Sequence, residues 1–119
     1  MNFKESKAIY LQIAERICDE ILLDCYQEEE RIPSVREYSA GMGVNINTTM
    51  RSYDWLQQNG IIFTKRGLGY FVCQGARTAI ATIRREEFFR EQLPELARTM
   101  KTLGISIEEL NGHLSELGE

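Results

Sequence analysis

Two helix-starting signals stand eleven residues apart, at Ser34 and Asn45, with a glycine pair between them, and this spacing constrains the fold more than any other feature of the chain. After Pro33, Ser34-Val35-Arg36-Glu37 is a capping-box pattern: the serine hydroxyl accepts the N–H three residues on, and the glutamate reaches back to the serine N–H. The helix it starts is expected to stop near Gly41-Met42-Gly43, because glycine is costly inside a helix and readily adopts the left-handed conformation that ends one. Asn45 then predicts the N-cap of a second helix to Asn59, with Gly60 as its stop signal. Two short β-branched and aromatic runs follow, Ile61–Lys65 and Tyr70–Cys73, separated by Arg66-Gly67-Leu68-Gly69, whose glycines permit a hairpin turn. Two short helices on a tight turn, followed by a hairpin, form a winged helix-turn-helix over Arg31–Cys73.

The flanks read as helix. Ile9, Ile13, Ile17 and Ile21 recur every four residues with Tyr10, Ala14 and Leu22 beside them, predicting an amphipathic helix from about Ser6 to Asp24 whose other face, Glu15, Arg16, Asp19 and Glu20, is solvated. Glu28-Glu29-Glu30 reads as an exposed loop. From Ala76 onward, Ile80, Ile83, Phe88, Leu93, Leu96, Met100 and Leu103 fall at helical intervals. Pro94 either kinks one long helix or stands in the first turn of a new one after Gln92. Gly104 stops that stretch, and Ser106-Ile107-Glu108-Glu109 is a second capping-box pattern, starting a last helix to about Leu117. The expected class is mainly α with one small β-hairpin. Residues 1–75 are expected to form the winged helix-turn-helix domain and 76–119 a helical tail.

A chain of 119 residues holds one core, with little room for a separate catalytic domain. No apolar run approaches the roughly 18 residues a membrane span needs, and Met1–Lys7 lacks a signal peptide's apolar stretch, so a cytoplasmic protein without membrane contact is expected. Cys18, Cys25 and Cys73 have no C-x-x-C spacing, and the single histidine, His113, is remote from them in sequence, so neither metal nor cofactor is expected. Cys18 and Cys25, seven apart, would share a helix face as small hydrophobes. With no paired carboxylates, Cys/His couple or phosphate loop, an enzyme is not expected.

The net charge of −4 is unfavourable for a phosphate binder, but its distribution is not uniform. Between Arg31 and Cys73, Arg31, Arg36, Arg51, Lys65 and Arg66 face only Glu37 and Asp54, a local balance of +3. On a helical wheel, Ile46, Thr49, Met50, Tyr53 and Leu56 fall in an arc of about 120° that would face the core. Asn47, Thr48 and Arg51 then project from the other side, near the N-terminus of the second helix, where Arg suits guanine, Asn suits adenine, and Thr suits phosphate or a thymine methyl. Trp55, between Arg51 and Thr48 on the wheel, is expected to pack under a neighbouring element. Arg36 would reach the groove's edge, and Lys65 and Arg66, followed by Gly67 and Gly69, would form a basic tip against the phosphate backbone or the minor groove. The apolar stripe Phe88, Phe89, Leu93, Leu96, Met100 and Leu103 is more than a lone helical appendage can bury, which points to a homodimer.

Four fragments together, Ile9-Tyr10-Leu11-Gln12-Ile13, Arg31-Ile32-Pro33-Ser34-Val35-Arg36-Glu37, Gly43-Val44-Asn45-Ile46-Asn47-Thr48 and Arg66-Gly67-Leu68-Gly69-Tyr70-Phe71-Val72, resemble the GntR family of bacterial regulators in order and separation. The segment after Cys73 is similar to the short helical tail of its YtrA-type subgroup. The resemblance implies DNA contacts for Arg36, Asn47, Thr48, Gly67 and Gly69, with Arg51 at a position where arginine is common in the subgroup; Asn45 stands in the same stretch and is counted with them. Ile46 replaces a usual proline and Thr49 a usual valine. The expected partners are double-stranded operator DNA and a second copy of the chain, and the expected activity is that of a repressor on a palindromic site. A small-molecule effector has no identity in the sequence, since no ligand pocket can be read there. A winged-helix protein–protein interaction module is the alternative, compatible with the acidic total.

Overall fold

The computed structural model describes residues 7–118. The chain divides into two compact units, one through Ala81 and the other from Thr82. The first contains α1 (Ile9–Leu22), α2 (Val35–Met42), α3 (Ile46–Gln58), β1 (Ile62–Lys65), β2 (Gly69–Val72) and the start of α4 (Ala76–Glu87). The second contains the rest of α4, a π-turn (Phe88–Gln92), α5 (Leu93–Leu103) and α6 (Ile107–Leu117).

In the first unit α3 packs on both α1 and α2. The core is built from Ile13, Ala14, Ile17, Cys18 and Ile21 of α1, Ile32, Val35 and Tyr38 at α2, Tyr53 and Leu56 of α3, Ile61, Ile62 and Val72 of the hairpin, and Ala76 and Ile80 of α4. Each fully buried isoleucine or leucine contributes about 1.5–3 kcal/mol relative to exposure, so this cluster is the main source of stability. Arg77 closes the joint to α1, its Nη1 donating to the Ile21 carbonyl at 3.1 Å and to Asp24 at 3.0 Å.

The starts of α2 and α3 follow the predicted capping. Ser34 Oγ accepts from Glu37 N–H at 3.0 Å while Glu37 Oε1 accepts from Ser34 N–H at 2.8 Å, completing the box. The Ser34 N–H foremost, with the Ser34 side chain and the nearby Arg31 adding to it, holds the Glu37 carboxyl below the usual carboxylate range. Gly43, at φ +68°, ends α2 in the left-handed region. Asn45 Oδ1 accepts the Asn47 N–H at 2.7 Å and starts α3.

The hairpin pairs Ile62 with Val72, Phe63 with Phe71, Thr64 with Tyr70 and Lys65 with Gly69, so Gly69 belongs to β2 and the turn is Arg66-Gly67-Leu68. A third segment joins it. Glu29 N–H donates to Val72 O, Val72 N–H to Glu30 O, and Ile32 N–H to Tyr70 O. The acidic run is thus exposed in its side chains, as expected, yet its backbone continues the sheet, which side-chain patterning could not reveal.

Several sequence expectations are corrected. The expected start at Ser6 lies outside the described residues, and α1 ends at Leu22 rather than Asp24, which sits at φ +65°. Ile9, expected in the core stripe, is 60% exposed. Cys18 is buried while Cys25, beyond the helix end, is exposed, so the two do not share a face. Glu20 is half-buried rather than solvated, and desolvation holds its carboxyl above the usual range against the opposing pull of Arg16. On α3 the buried face is Thr49, Ser52, Tyr53 and Leu56, while Ile46 and Met50 are about two-fifths exposed, so the core arc is rotated towards Ser52. Hydrogen bonds make that rotation tolerable: Ser52 Oγ donates to Tyr10 O at 2.7 Å, and Ser39 Oγ to Thr49 Oγ1 at 2.8 Å. Tyr53 OH donates to Pro33 O at 2.7 Å, and burial pushes its phenol well above the ordinary tyrosine range.

In the second unit both readings of Pro94 meet in a third arrangement. Proline lacks an N–H and its ring crowds the carbonyl four residues back; here that stretch is a single π-turn, with Leu93 N–H bonded to Phe88 O, and Pro94 stands in the first turn of α5. Gly104, at φ +70°, ends α5 as expected. At Ser106 half of the expected box forms: Oγ accepts from Glu109 N–H at 3.0 Å, without the return bond that Glu37 makes to Ser34.

Candidate nucleic-acid interface

The buried face of α3 fixes what its other face presents. With Thr49, Ser52, Tyr53 and Leu56 turned into the core, Asn47 and Arg51 are exposed and Thr48 is half-buried beside them. Together with Ala8, Ile9 and Tyr10 of the α1 start they line a recess of about 350 Å³. Ile9 thus borders this recess rather than the core. Within it the Arg51 guanidinium lies over the Tyr10 ring, Cζ 4.0 Å from the centroid, within cation–π range. The sequence places Tyr10 beside the core stripe of α1 and carries no sign of this contact, because its partner is 41 positions away.

Asn45 caps α3 through Oδ1, so part of its hydrogen-bonding capacity is committed to the helix start. Arg36 is exposed on the first turn of α2. Trp55 is half-buried, in keeping with partial packing.

On the hairpin Lys65 and Arg66 are exposed. Lys65 Nζ stands 4.7 Å from the centroid of Phe71, which stacks on Phe63 at 5.8 Å, so two rings support the ammonium. Gly67 takes φ +78° in open space, whereas Gly69 takes φ +114° with the Arg31 side chain against it: a Cβ there would meet Arg31 Nε at 3.0 Å. Arg31, which the sequence reading counted only as charge, is therefore a brace. Its Nε donates to Leu68 O at 3.2 Å and its Nη2 approaches Glu37 at 3.9 Å, linking the hairpin tip to the start of α2.

Of the expected dimerisation residues, Phe88, Phe89, Leu93, Leu96 and Leu103 are exposed by 38–66%, and Met100 is half-buried. The terminal helix adds Ile107, Leu114 and Leu117, also exposed, which the sequence reading did not include. Between α5 and α6 runs an apolar cleft of about 450 Å³ lined by Leu93, Leu96, Met100, Ile105, Ile107 and Leu110. Among the described residues no group of three His, Cys, Asp or Glu is placed to hold a metal ion, and no helix is long and apolar enough to cross a membrane.

A helix pair on a left-handed glycine turn, a second helix with a polar exposed face and a hairpin with a basic tip define the winged helix-turn-helix class of DNA-binding transcription regulators. Residues 9–72 match the model of the bacterial regulatory proteins, gntR family. The chain belongs to that family, whose members are DNA-binding regulators and not enzymes. It is 36% identical to the HTH-type transcriptional regulator YhcF of Bacillus subtilis, over 92% of this chain and 88% of that protein. It is 29% identical to the HTH-type transcriptional repressor YtrA of the same organism, over 96% and 87%, in keeping with the YtrA-type subgroup. A GntR-family regulator from Bacteroides thetaiotaomicron superposes with a TM-score of 0.82 at 52% identity, covering 92% of this chain and 96% of that one. The DNA-binding domain of AraR in complex with operator ORR3 superposes with a TM-score of 0.52 at 26% identity, covering 54% and 77%.

Proposed function

We propose that this regulator is a repressor that binds a palindromic operator as a homodimer in the cytoplasm, with residues 1–75 as its DNA-binding part and 76–119 as its dimerisation part. The observation that carries the reading is the face of α3: Asn47, Thr48 and Arg51 stand at its N-terminal end, opposite four buried residues of the same helix. In this reading α3 enters the major groove, where Arg51 pairs with a guanine edge, Asn47 with an adenine, and Thr48 with a phosphate or a thymine methyl. Asn45 adds its Nδ2 as a donor at the helix start. Arg36 binds a phosphate at the groove's edge. Lys65 and Arg66 lie along the backbone or minor groove, brought close by Gly67 and Gly69. The operator complex of AraR supports this use of the fold, and the repressor reading is supported by the name and near full-length similarity of YtrA. Pairing through Phe88, Phe89, Leu93, Leu96, Met100 and Leu103 would cover the exposed stripe and place two reading helices on half-sites one helical turn apart. A small-molecule effector is compatible with this reading and has no assigned site.

The test is titration of a duplex carrying an inverted repeat from the DNA beside its own gene. Arg51→Ala is expected to cost about 1–3 kcal/mol and to relax preference at one base pair per half-site; Arg36→Ala is expected to weaken all sequences alike and lower the salt slope by about one. Unchanged binding in both variants would refute this placement of the reading face. Transcription from the same promoter in vitro should fall as the protein is added, and a rise would refute the repressor assignment.

A further inference from the structure

The geometry points to Tyr10 as a specificity-determining residue, its ring holding the Arg51 guanidinium in one orientation for base reading; this rests on the proposed reading of a base by Arg51. An arginine side chain is long and rich in rotamers, and when unrestrained it reaches phosphates as well as base edges. Discrimination needs its plane fixed before the DNA arrives. Here the guanidinium carbon lies 4.0 Å from the Tyr10 centroid, a stacking distance. The ring is in turn registered to α3: the Tyr10 carbonyl accepts from Ser52 Oγ at 2.7 Å, and Ser52 is fully buried and adjacent in sequence to Arg51. Backbone clamp and ring contact therefore act on the same helical turn. Asn47 and Thr48 line the same recess, so the plane held by Tyr10 is presented beside the other two reading residues.

The experiment uses the full chain and short duplexes that the wild-type protein recovers from a random pool, together with every single-base-pair variant of the best one. Arg51→Ala identifies the base pair whose discrimination depends on Arg51. At that pair Tyr10→Leu is expected to lower discrimination about three- to tenfold with the salt slope unchanged, and Tyr10→Phe, which keeps the ring, to retain it. In an Arg51→Ala background Tyr10→Leu should do nothing further to discrimination. If leucine at this position unfolds the domain, Tyr10→Met takes its place in the same series. Equal weakening on all duplexes with discrimination intact, or the same loss of discrimination with Arg51 already removed, would overturn the inference. Failure of the underlying reading looks different: Arg51→Ala alone, with Tyr10 in place, would leave discrimination unchanged at every base pair, and the inference would fall with it.

Discussion

Arg31 and Gly69 illustrate how single residues set the shape of the proposed reading surface. Gly69 serves a backbone at φ +114°, and a Cβ there would also press on the Arg31 side chain at 3.0 Å, whereas Gly67 at φ +78° has open space around it. Gly69→Ala is therefore expected to cost about 1–3 kcal/mol and to cost more than Gly67→Ala, read from urea denaturation midpoints. Equal midpoints for the two variants would refute this ordering, and repeating the pair in an Arg31→Ala background separates the side-chain contact from the backbone strain. The positive φ values belong to what glycine spacing could suggest; the Arg31 contact does not, because it joins residues 38 apart across two elements.

At the scale of elements, what was legible in the sequence is what local chemistry decides. The caps at Ser34 and Asn45, the left-handed glycines at 43 and 104 and the two hairpin runs all carry signals within a few residues of themselves; the caps and glycines appear where expected, and the strand bounds differ by at most one residue. What was not legible depends on partners distant in sequence. Ser52 reads as a polar surface residue until the Tyr10 carbonyl is known to receive its hydroxyl, and Ile46 and Met50 read as core until α1 and α2 are seen to take up the neighbouring arc instead. The π-turn before Pro94 belongs to the same group, since sequence shows that proline disturbs a helix and not how the helix yields. The start of α2 offers a direct check on the local part: Ser34→Ala removes the Oγ acceptor for the Glu37 N–H, while the backbone N–H that Glu37 Oε1 accepts from remains, and is expected to cost about 1 kcal/mol. A denaturation midpoint identical to wild type would show that the box is ornamental to the domain.

For the whole molecule the decisive quantity is the number of chains in solution. A proposed homodimer should sediment at twice 13.8 kDa, and Leu96→Glu, placing a charge among Leu93, Met100 and Ile107, should shift it towards monomer. Operator affinity should fall by about tenfold or more at the same time, since each half-site would then be bound separately. A wild-type monomer with undiminished operator affinity would sink the dimer. The third segment of the sheet has a further consequence for how such a regulator could be switched. Glu29–Ile32 is bonded to β2 on one side and leads through Pro33 into α2, while Tyr53 of α3 donates to that same Pro33. These bonds tie the hairpin, α2 and α3 together, and the slowest-exchanging amides of the three are expected to open together. Under the proposed reading, a switch that retracted the wing alone would have to break the pairing of Glu29–Ile32 with β2.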